Sequence, residues 1–590
     1  MADRLFTRQF GVMSGVSVTF FWKMGACFGA KTQVSRLTNY ANGTLDHWVA
    51  GDGEGGKLGA PMSIRPELIF GFVGPVGVPL DDLVKYTSEK LKWFRYTPIE
   101  IRLSKLFEDV VGAQAPTSES EYDRIINGQK IGHQFRKDCN SGAALAIAAL
   151  TMIRKERERA GESKHPDKPA DGVAYLLNQL KHPEEVDLLR KIYGSSFILL
   201  AGHAGETERL NTLKQRIASS EGHVVGSEDV PKAQRVIDVD DEEPSDDKFG
   251  QNTRNTYPLA DFFANFDDQY VRETVDRFIE LLFGHPFHSP RPEEVAMYQA
   301  SASALRSSDE SRQVGAVIAR IKRDQASKIS NIDVVASGMN EVPRRGGGYY
   351  WDGNGPSSDA RDQSLLYNNL KENRAELLKK DVLNDLIEIF KNLSWLNEET
   401  AGKHTANLVK ELLSGSLSKS KLMSIGEFQR QVHAEMAALI DSARRGVPVD
   451  GLSMYVTTFP CHNCAKHIIA AGLQRVVYLE PYPKSKTKDL YKEEVNTDSK
   501  DGVYDDKSEK VIFVAYTGIA PRQYQRLFSM AAKGAKNGMA LPDWRNQRET
   551  LAPKYVMRNA AASYVTVERE ELKNLPVEKF RWNPAVICPD

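Results

Sequence analysis

The chain of 590 residues is poor in cysteine: Cys27, Cys139, Cys461, Cys464 and Cys588 are all it has. Five cysteines in so long a chain exclude a disulfide framework. They fit a reducing compartment, where paired cysteines more often hold metal, and a cytoplasmic location is expected. A surplus of either charge is missing too. Lys and Arg number 78 against 79 Asp and Glu, a net charge of −1. A protein whose main partner is nucleic acid usually carries a basic excess or stripe, so nucleic acid is not favoured. No apolar run reaches the ~20 residues of a membrane-spanning helix. Lys23 breaks the moderately apolar stretch after Arg8, and an intracellular protein is preferred to one with a poor signal peptide. What remains is an ordinary globular composition, 41% apolar and 27% charged, long enough for several domains.

Residues 1–65 carry few structural signals and end in the linker-like GDGEGGKLGAP (51–61). ELIFGFVGPVGVPLDDLVKYTSEKLKWF then reads as a short apolar strand, a glycine-rich turn and an amphipathic helix. A helix is predicted over 141–159, a buried strand over 195–205 and a helix over 206–219. This alternation predicts an α/β layer with a mostly parallel sheet. Seven of the ten residues 238–247 are acidic, and the segment reads as a solvated loop rather than a metal-binding lid. Helical patterns at VRETVDRFIELLFG and PEEVAMYQASASALRSS precede strand candidates at 314–321 and 332–340. Within 341–428, Leu365, Leu366, Leu370, Leu377, Leu378, Val382, Leu386, Ile387 and Phe390 recur at helical spacing. Such a stripe predicts core or a subunit interface. Over 429–480 the pattern is a helix ending at Gly446, a strand LSMYVTTF, a helix between Pro460 and Gly472, and a strand RVVYLE.

The clearest chemistry lies in this last stretch. Cys461 and Cys464 form a C-x-x-C, but no second cysteine knuckle exists to complete a structural zinc finger. A redox pair is the other simple reading of C-x-x-C. Upstream stands His433-Ala434-Glu435, and together with Pro460-Cys461-His462-Asn463-Cys464 it matches the zinc deaminase signature H-x-E…P-C-x-x-C. Three ligands, His433, Cys461 and Cys464, leave one tetrahedral position for water. Zinc lowers the pKa of that water to about 7, so a nucleophile is available for C4 of a cytosine ring. Glu435 is two residues from a ligand and is suited to move protons without binding metal. Both cysteines fall in the first turn of a helix, where the dipole favours thiolate. His462 is expected to point away from the metal, and His467 to be a packed or surface residue.

Elsewhere a motif is absent. Gly71, Gly74 and Gly77 follow a strand with the spacing G-x-x-G-x-x-G. This is neither the dinucleotide fingerprint nor Walker A, since Val78 and Pro79 stand where Lys and Ser/Thr would fall after Gly77. The β/γ-phosphates lack their cation and Mg²⁺ its hydroxyl. Backbone N–H groups near Gly74 and Gly77 can still cradle a phosphate at a helix start. Nucleotide sensing and a plain tight turn both stand ahead of phosphoryl transfer.

SSDESRQVGAVI (307–318), SGMNEVP (337–343), HAEMAALI (433–440) and MYVTTFPCHNCAKHIIAAGLQRVVYL (454–479) resemble the deoxycytidylate deaminases. The resemblance implies that Asn340 contacts the sugar of the nucleotide. It covers about 295–485, except that a short loop after the Asn is replaced by nearly ninety residues. FGFVGPVG, LKHPEEVDLLRKIYG, GQNTRNTYPLADFF, LLFGHPF and GIAPRQYQRLFSM (518–530) extend it to the bacterial antiphage dCTP deaminases. That layout implies an N-terminal P-loop kinase-like domain (66–270) after an extension (1–65). A cytidine-deaminase-like α/β/α domain (271–535) follows with a helical insertion (341–428), then a C-terminal extension (536–590). It implies zinc, a dCTP or dCMP substrate, depletion of dCTP during phage infection, and regulation through the N-terminal domain. A regulatory nucleotide, a regulatory factor and homo-oligomerisation are expected with it. Two alternatives remain at this point: a deaminase of bases in nucleic acid, and a nucleotide-responsive signalling protein with an inactive deaminase fold.

Overall fold

Two six-stranded sheets, both mostly parallel, organise the chain in this computed structural model. It describes residues 65–106, 120–160, 165–241, 248–309, 312–324, 329–351, 374–415, 417, 429–482, 485–497, 509–529, 551, 553 and 562–573. The chain divides into Met1–Met62 and Ser63–Asp590, and every described residue belongs to the second part. The strands are β1 (Leu68–Val73), β2 (Thr97–Arg102), β3 (Val173–Leu180), β4 (Phe197–His203), β5 (Phe262–Asn265), β6 (Gly315–Arg323), β7 (Ile329–Met339), β8 (Ser453–Thr458), β9 (Arg475–Glu480), β10 (Val495–Asn496), β11 (Val511–Ala515) and β12 (Gly518–Ile519).

The first sheet runs β12-β5-β4-β1-β3-β2, parallel except for β12. LIFGFV in β1 and FILLAGH in β4 are almost continuously apolar because a parallel sheet is covered on both faces. The glycine turn leaves the carboxyl end of β1 and starts helix Leu80–Trp93. The expected helices over 141–159 and 206–219 appear as Ala144–Ala160 and Glu206–Glu221. The acidic segment departs from expectation. Its first residues belong to helix Asp229–Asp241. Asp240 is buried and accepts hydrogen bonds from the Val76 N–H at 2.7 Å and the Lys181 ammonium at 3.2 Å. Dense acidic sequence predicts solvation only where no donors are supplied, and here the fold supplies two. Residues 242–247 lie outside the described residues.

The second sheet runs β10-β11-β9-β8-β6-β7. Its first four strands are parallel; β6 and β7 are antiparallel. Helix Ala434–Arg445 lies against β7, and the two backbones meet at Gly338. A Cβ there would collide with the Ala434 carbonyl and the Ala438 nitrogen. Gly315 plays the same part under helix Pro292–Ala304, against Ala300 and Ala304. In the insertion, helix Arg374–Asn392 packs on Thr405–Ser414 through Leu383, Ile387, Leu408 and Val409. Leu377, Leu378, Val382 and Leu386 of the predicted stripe remain partly exposed. Leu365, Leu366 and Leu370 lie outside the described residues.

The sheets share one apolar core. Tyr257 and Phe263 from the first side, Tyr455 and Val477 from the second, and Met297 and Ala300 between them form one cluster. Buried ion pairs stitch the same boundary: Arg277 with Glu294, and Arg475 with Glu293. The chain returns from the second sheet as β12, and Arg522 and Gln523 donate to buried Asp261 beside β4. Helix Ala562–Leu572 is held by Arg157, which is buried between Glu67 and Glu568. Among the described residues no helix is long and apolar enough to cross a membrane.

Gly338→Ala is expected to push helix Ala434–Arg445 off β7 and lower stability by about 1–3 kcal/mol, the usual range for overpacking. Urea unfolding of the purified variant measures this, and an unchanged midpoint would show that the helix can shift freely.

Candidate active site and metal centre

The two helices that carry the H-A-E and C-x-x-C motifs begin at the same place. His433 is the N-cap of Ala434–Arg445, and Cys461 is the N-cap of His462–Ala470. The approach to each is fixed. Glu341 and Val432 exchange backbone hydrogen bonds of 3.2 and 3.0 Å, so the segment before His433 is pinned beside the end of β7. The Glu341 carboxylate accepts from the Ser308 N–H at 3.0 Å and its hydroxyl at 2.9 Å. On the other side β8 runs into Phe459, whose N–H donates to the Glu480 carbonyl at 2.8 Å, and Pro460 starts the turn into Cys461. Ser485 and Thr487 donate to the Pro460 carbonyl at 2.8 and 3.2 Å.

These supports bring Nδ1 of His433 to 3.4 Å from the Cys461 sulfur and 3.3 Å from the Cys464 sulfur. The three donor atoms lie within 4.8 Å of one another. One imidazole nitrogen and two sulfurs this close fit a tetrahedral zinc, whose bonds are ~2.0–2.3 Å long. Glu435, in the first turn of its helix, is buried, and its Oε2 accepts from Cys464 at 3.4 Å. Two further groups of ligand-type residues differ in kind. Glu280 of the group with His285 and His288 is ion-paired to Lys90 at 2.6 Å, and Glu221 of the group with His223 and Asp229 to Lys232 at 2.6 Å.

The electrostatics follow from burial and from the contacts among these side chains. Burial, reinforced by the charge on Cys461, raises the Glu435 carboxyl to about 7. The Cys461 thiol is lowered to about 4, chiefly by the hydrogen bond from Cys464 and then by His433. Cys464, the donor of that bond, is pushed up, and His433 is pushed up by Cys461. The arrangement therefore holds a thiolate beside an imidazole, with a carboxyl that titrates near neutrality.

The other sequence candidates fall as follows. Asn340 ends β7 and is buried. Its Oδ1 accepts from the Val314 N–H at 2.7 Å and its Nδ2 donates to the Arg312 carbonyl at 2.7 Å. One acceptor lone pair and one amide hydrogen remain for a substrate. His462 and His467 stand outside the ligand group, and His467 is exposed. Gly74 and Gly77 sit in the turn after β1, far along the chain in the other sheet. Gly77 needs its glycine: φ is +86°, and a side chain would meet the Arg209 backbone. The Val76 N–H between them is already bound to Asp240, so a phosphate on this turn has to displace that carboxylate. The sequence reading passed over Glu341, Ser308, Arg312 and Glu480. Ser308 and Arg312 lie inside SSDESRQVGAVI, Glu341 inside SGMNEVP and Glu480 at the end of RVVYLE, and none has a spacing that marks it.

Comparison with known proteins agrees with this geometry. Residues 290–480 match the family described as the cytidine and deoxycytidylate deaminase zinc-binding region. Zinc is the cofactor that the His433, Cys461 and Cys464 group fits. The deoxycytidylate deaminase of Enterobacteria phage T2 is 43% identical over 58 residues, 10% of this chain and 31% of that one. ComE operon protein 2 of Bacillus subtilis is 49% identical over 53 residues, 9% of this chain and 28% of that one. The chain thus spans about three-tenths of the curated relatives it matches. A crystal structure of dCMP deaminase from the cyanophage S-TIM5 with dCMP and dUMP aligns at 17% identity over 35% of this chain and 93% of that one, with a TM-score of 0.19.

The raised Glu435 pKa has a checkable sign. The fold holds this proton more tightly than the unfolded chain does, so stability is lost as pH rises from about 4.5 through about 7. In metal-free protein, wild type is expected to lose about 3 kcal/mol relative to Glu435→Gln across that interval. Paired denaturant titrations read the difference, and a flat one would place the Glu435 proton elsewhere.

Proposed function

We propose that the chain is a zinc-dependent hydrolytic deaminase of deoxycytidine nucleotides. The observation that carries this reading is the meeting of His433, Cys461 and Cys464 with Glu435 hydrogen-bonded 3.4 Å from Cys464. Zinc, when bound by these three, supplies the Lewis acidity that makes water a nucleophile near neutral pH. Glu435 accepts a proton from the attacking water and delivers it to N3 of the cytosine ring. It then takes the remaining proton from the new C4 hydroxyl and passes it to the amine as the C4–N bond breaks. The products are the deoxyuridine nucleotide and ammonia. Burial suits Glu435 to this exchange, because a carboxyl near neutrality both takes and returns protons. Asn340 orients the sugar with the amide groups that the backbone leaves free. The 31% span of the phage T2 deoxycytidylate deaminase supports the substrate class.

The wider resemblance extends the proposal. The enzyme acts on dCTP, dCMP or both, and lowers dCTP during phage infection. The first sheet serves as the regulatory element, in the manner of a P-loop kinase-like domain without a complete phosphate loop. A regulatory nucleotide at Gly74 and Gly77, exchanging with Asp240, is part of this reading, as is a homo-oligomer in the cytoplasm.

Purified protein offered dCTP, dCMP, CTP and single-stranded DNA, with and without a zinc chelator, is expected to release ammonia from dCTP or dCMP only when unchelated. No product from any free nucleotide sinks the reading. Glu435→Gln is expected to keep its zinc and lose roughly 10²- to 10⁴-fold in turnover. Full turnover by that variant would remove Glu435 from the proton path.

A further inference from the structure

At the rim of the metal centre one carboxylate faces two guanidinium groups. Arg312 places Nη1 3.4 Å from Glu480 Oε2, and that nitrogen is buried without a hydrogen bond. The second cation comes from the first sheet. Arg254 stands on the short helix Thr253–Thr256, which is capped by Asn252 and tied to the end of β3 by the Asn252 N–H to the Lys181 carbonyl at 2.7 Å. Its guanidinium crosses to the second sheet and lies 5.3 Å from the centre of the Tyr482 ring. Among the described residues it forms no ion pair, and its Nε is buried without a hydrogen-bond partner. Burial and the nearby charge of Arg312 both push Arg254 below the usual arginine range, so the two cations feel each other.

Among the described residues, two like charges share this partly buried place with the Glu480 carboxylate, which also accepts from Thr458 at 3.5 Å. A half-buried guanidinium with a buried, unused donor is costly unless an anion completes it. The position of the pair says which anion. Arg312 gives its carbonyl to Asn340, the expected sugar contact. Glu480 gives its carbonyl to Phe459, two residues before Cys461. The cations thus lie at the edge of the same sheet end that holds the metal ligands and Asn340. A nucleotide with its base at Glu435 and its sugar at Asn340 has its 5′ substituent still to place.

We propose that Arg254 and Arg312 bind the 5′-phosphate of the substrate, so that a residue of the first sheet completes the deaminase site. This rests on the deoxycytidine nucleotide reading above. It makes Arg254 a specificity residue for phosphorylated over unphosphorylated substrate, and it leaves the chemical step to Glu435. It also gives the two sheets a functional reason to be one body, beyond their shared core.

The test uses the full chain and the variants Arg254→Met and Arg254→Lys. The readouts are KM and kcat for dCMP and dCTP, and inhibition of turnover by dUMP and by deoxyuridine. Loss of a charge-assisted contact is expected to raise KM and weaken dUMP by about 10- to 100-fold. Deoxyuridine inhibition and kcat stay within about two-fold, and Arg254→Lys recovers part of the loss. Equal weakening of dUMP and deoxyuridine by Arg254→Met would show a merely structural residue and overturn the proposal. So would unchanged KM values. Failure of the deaminase reading looks different, because wild type itself then turns over no nucleotide, and the present inference falls with it.

Discussion

Two helix amino-termini aimed at one point are the constraint on which the site depends. Each helix start exposes N–H groups without partners and a partial positive charge. Burying two such ends together is unfavourable unless negative groups sit between them. The Cys461 thiolate supplies that negative charge, with buried Cys464 and Glu435 beside it. The hydrogen bond from Cys464 and the neighbouring His433 ring keep that thiolate available for metal. His433 enters as the N-cap and not as a residue of the helix body, which leaves its ring free to turn toward the sulfurs. The supporting contacts exist to hold this convergence. Gly338 lets one helix sit against β7, the Glu341–Val432 bridge sets where it starts, and Ser485 and Thr487 hold the turn before the other.

Much of this was legible in sequence because the signals are local. The helix from His433 to Gly446 shows its end through the glycine, and the helix after Pro460 shows its start through the proline. VTTF, VVYL and FILLAGH are strand-like by composition and length. The ligand set was legible because a histidine, a glutamate and two cysteines at close spacing have few other uses together. What was not legible is long-range. Nothing in 518–519 says that it will pair with β5, some 250 positions earlier in the chain. Nothing in the acidic stretch says that Asp240 will meet the Val76 N–H. Nothing around Arg254 says that its side chain will reach Tyr482. These contacts join residues far apart in sequence, and charge or periodicity within a window cannot report them.

The joining of the two sheets bears on how the halves influence each other. The shared core and the buried pairs Arg277–Glu294 and Arg475–Glu293 make the boundary a packed interior and not a flexible linker. Packed interiors resist small displacements and transmit them. Helix Pro292–Ala304 carries both Glu293 and Glu294, lies under β6 at Gly315, and touches residues of both sheets. A change in the first sheet therefore has a rigid route to the strand that leads toward Asn340.

The first sheet offers two places for an anion, and their charge balance differs. At the glycine turn the chain has already supplied Asp240 to the Val76 N–H and to Lys181. A phosphate arriving there gains only the difference between its own contacts and those of the carboxylate it expels. At the Arg254 edge two guanidiniums meet the Glu480 carboxylate, and among the described residues the Arg254 Nε and Arg312 Nη1 donors remain unused. A phosphate arriving there expels no anion of the chain. With equal contacts the glycine turn binds more weakly, since its buried carboxylate must first leave its partners. On the proposed reading, a turn that looks like a phosphate loop is thus the weaker anion site of the two, and the stronger one borders the proposed deaminase site.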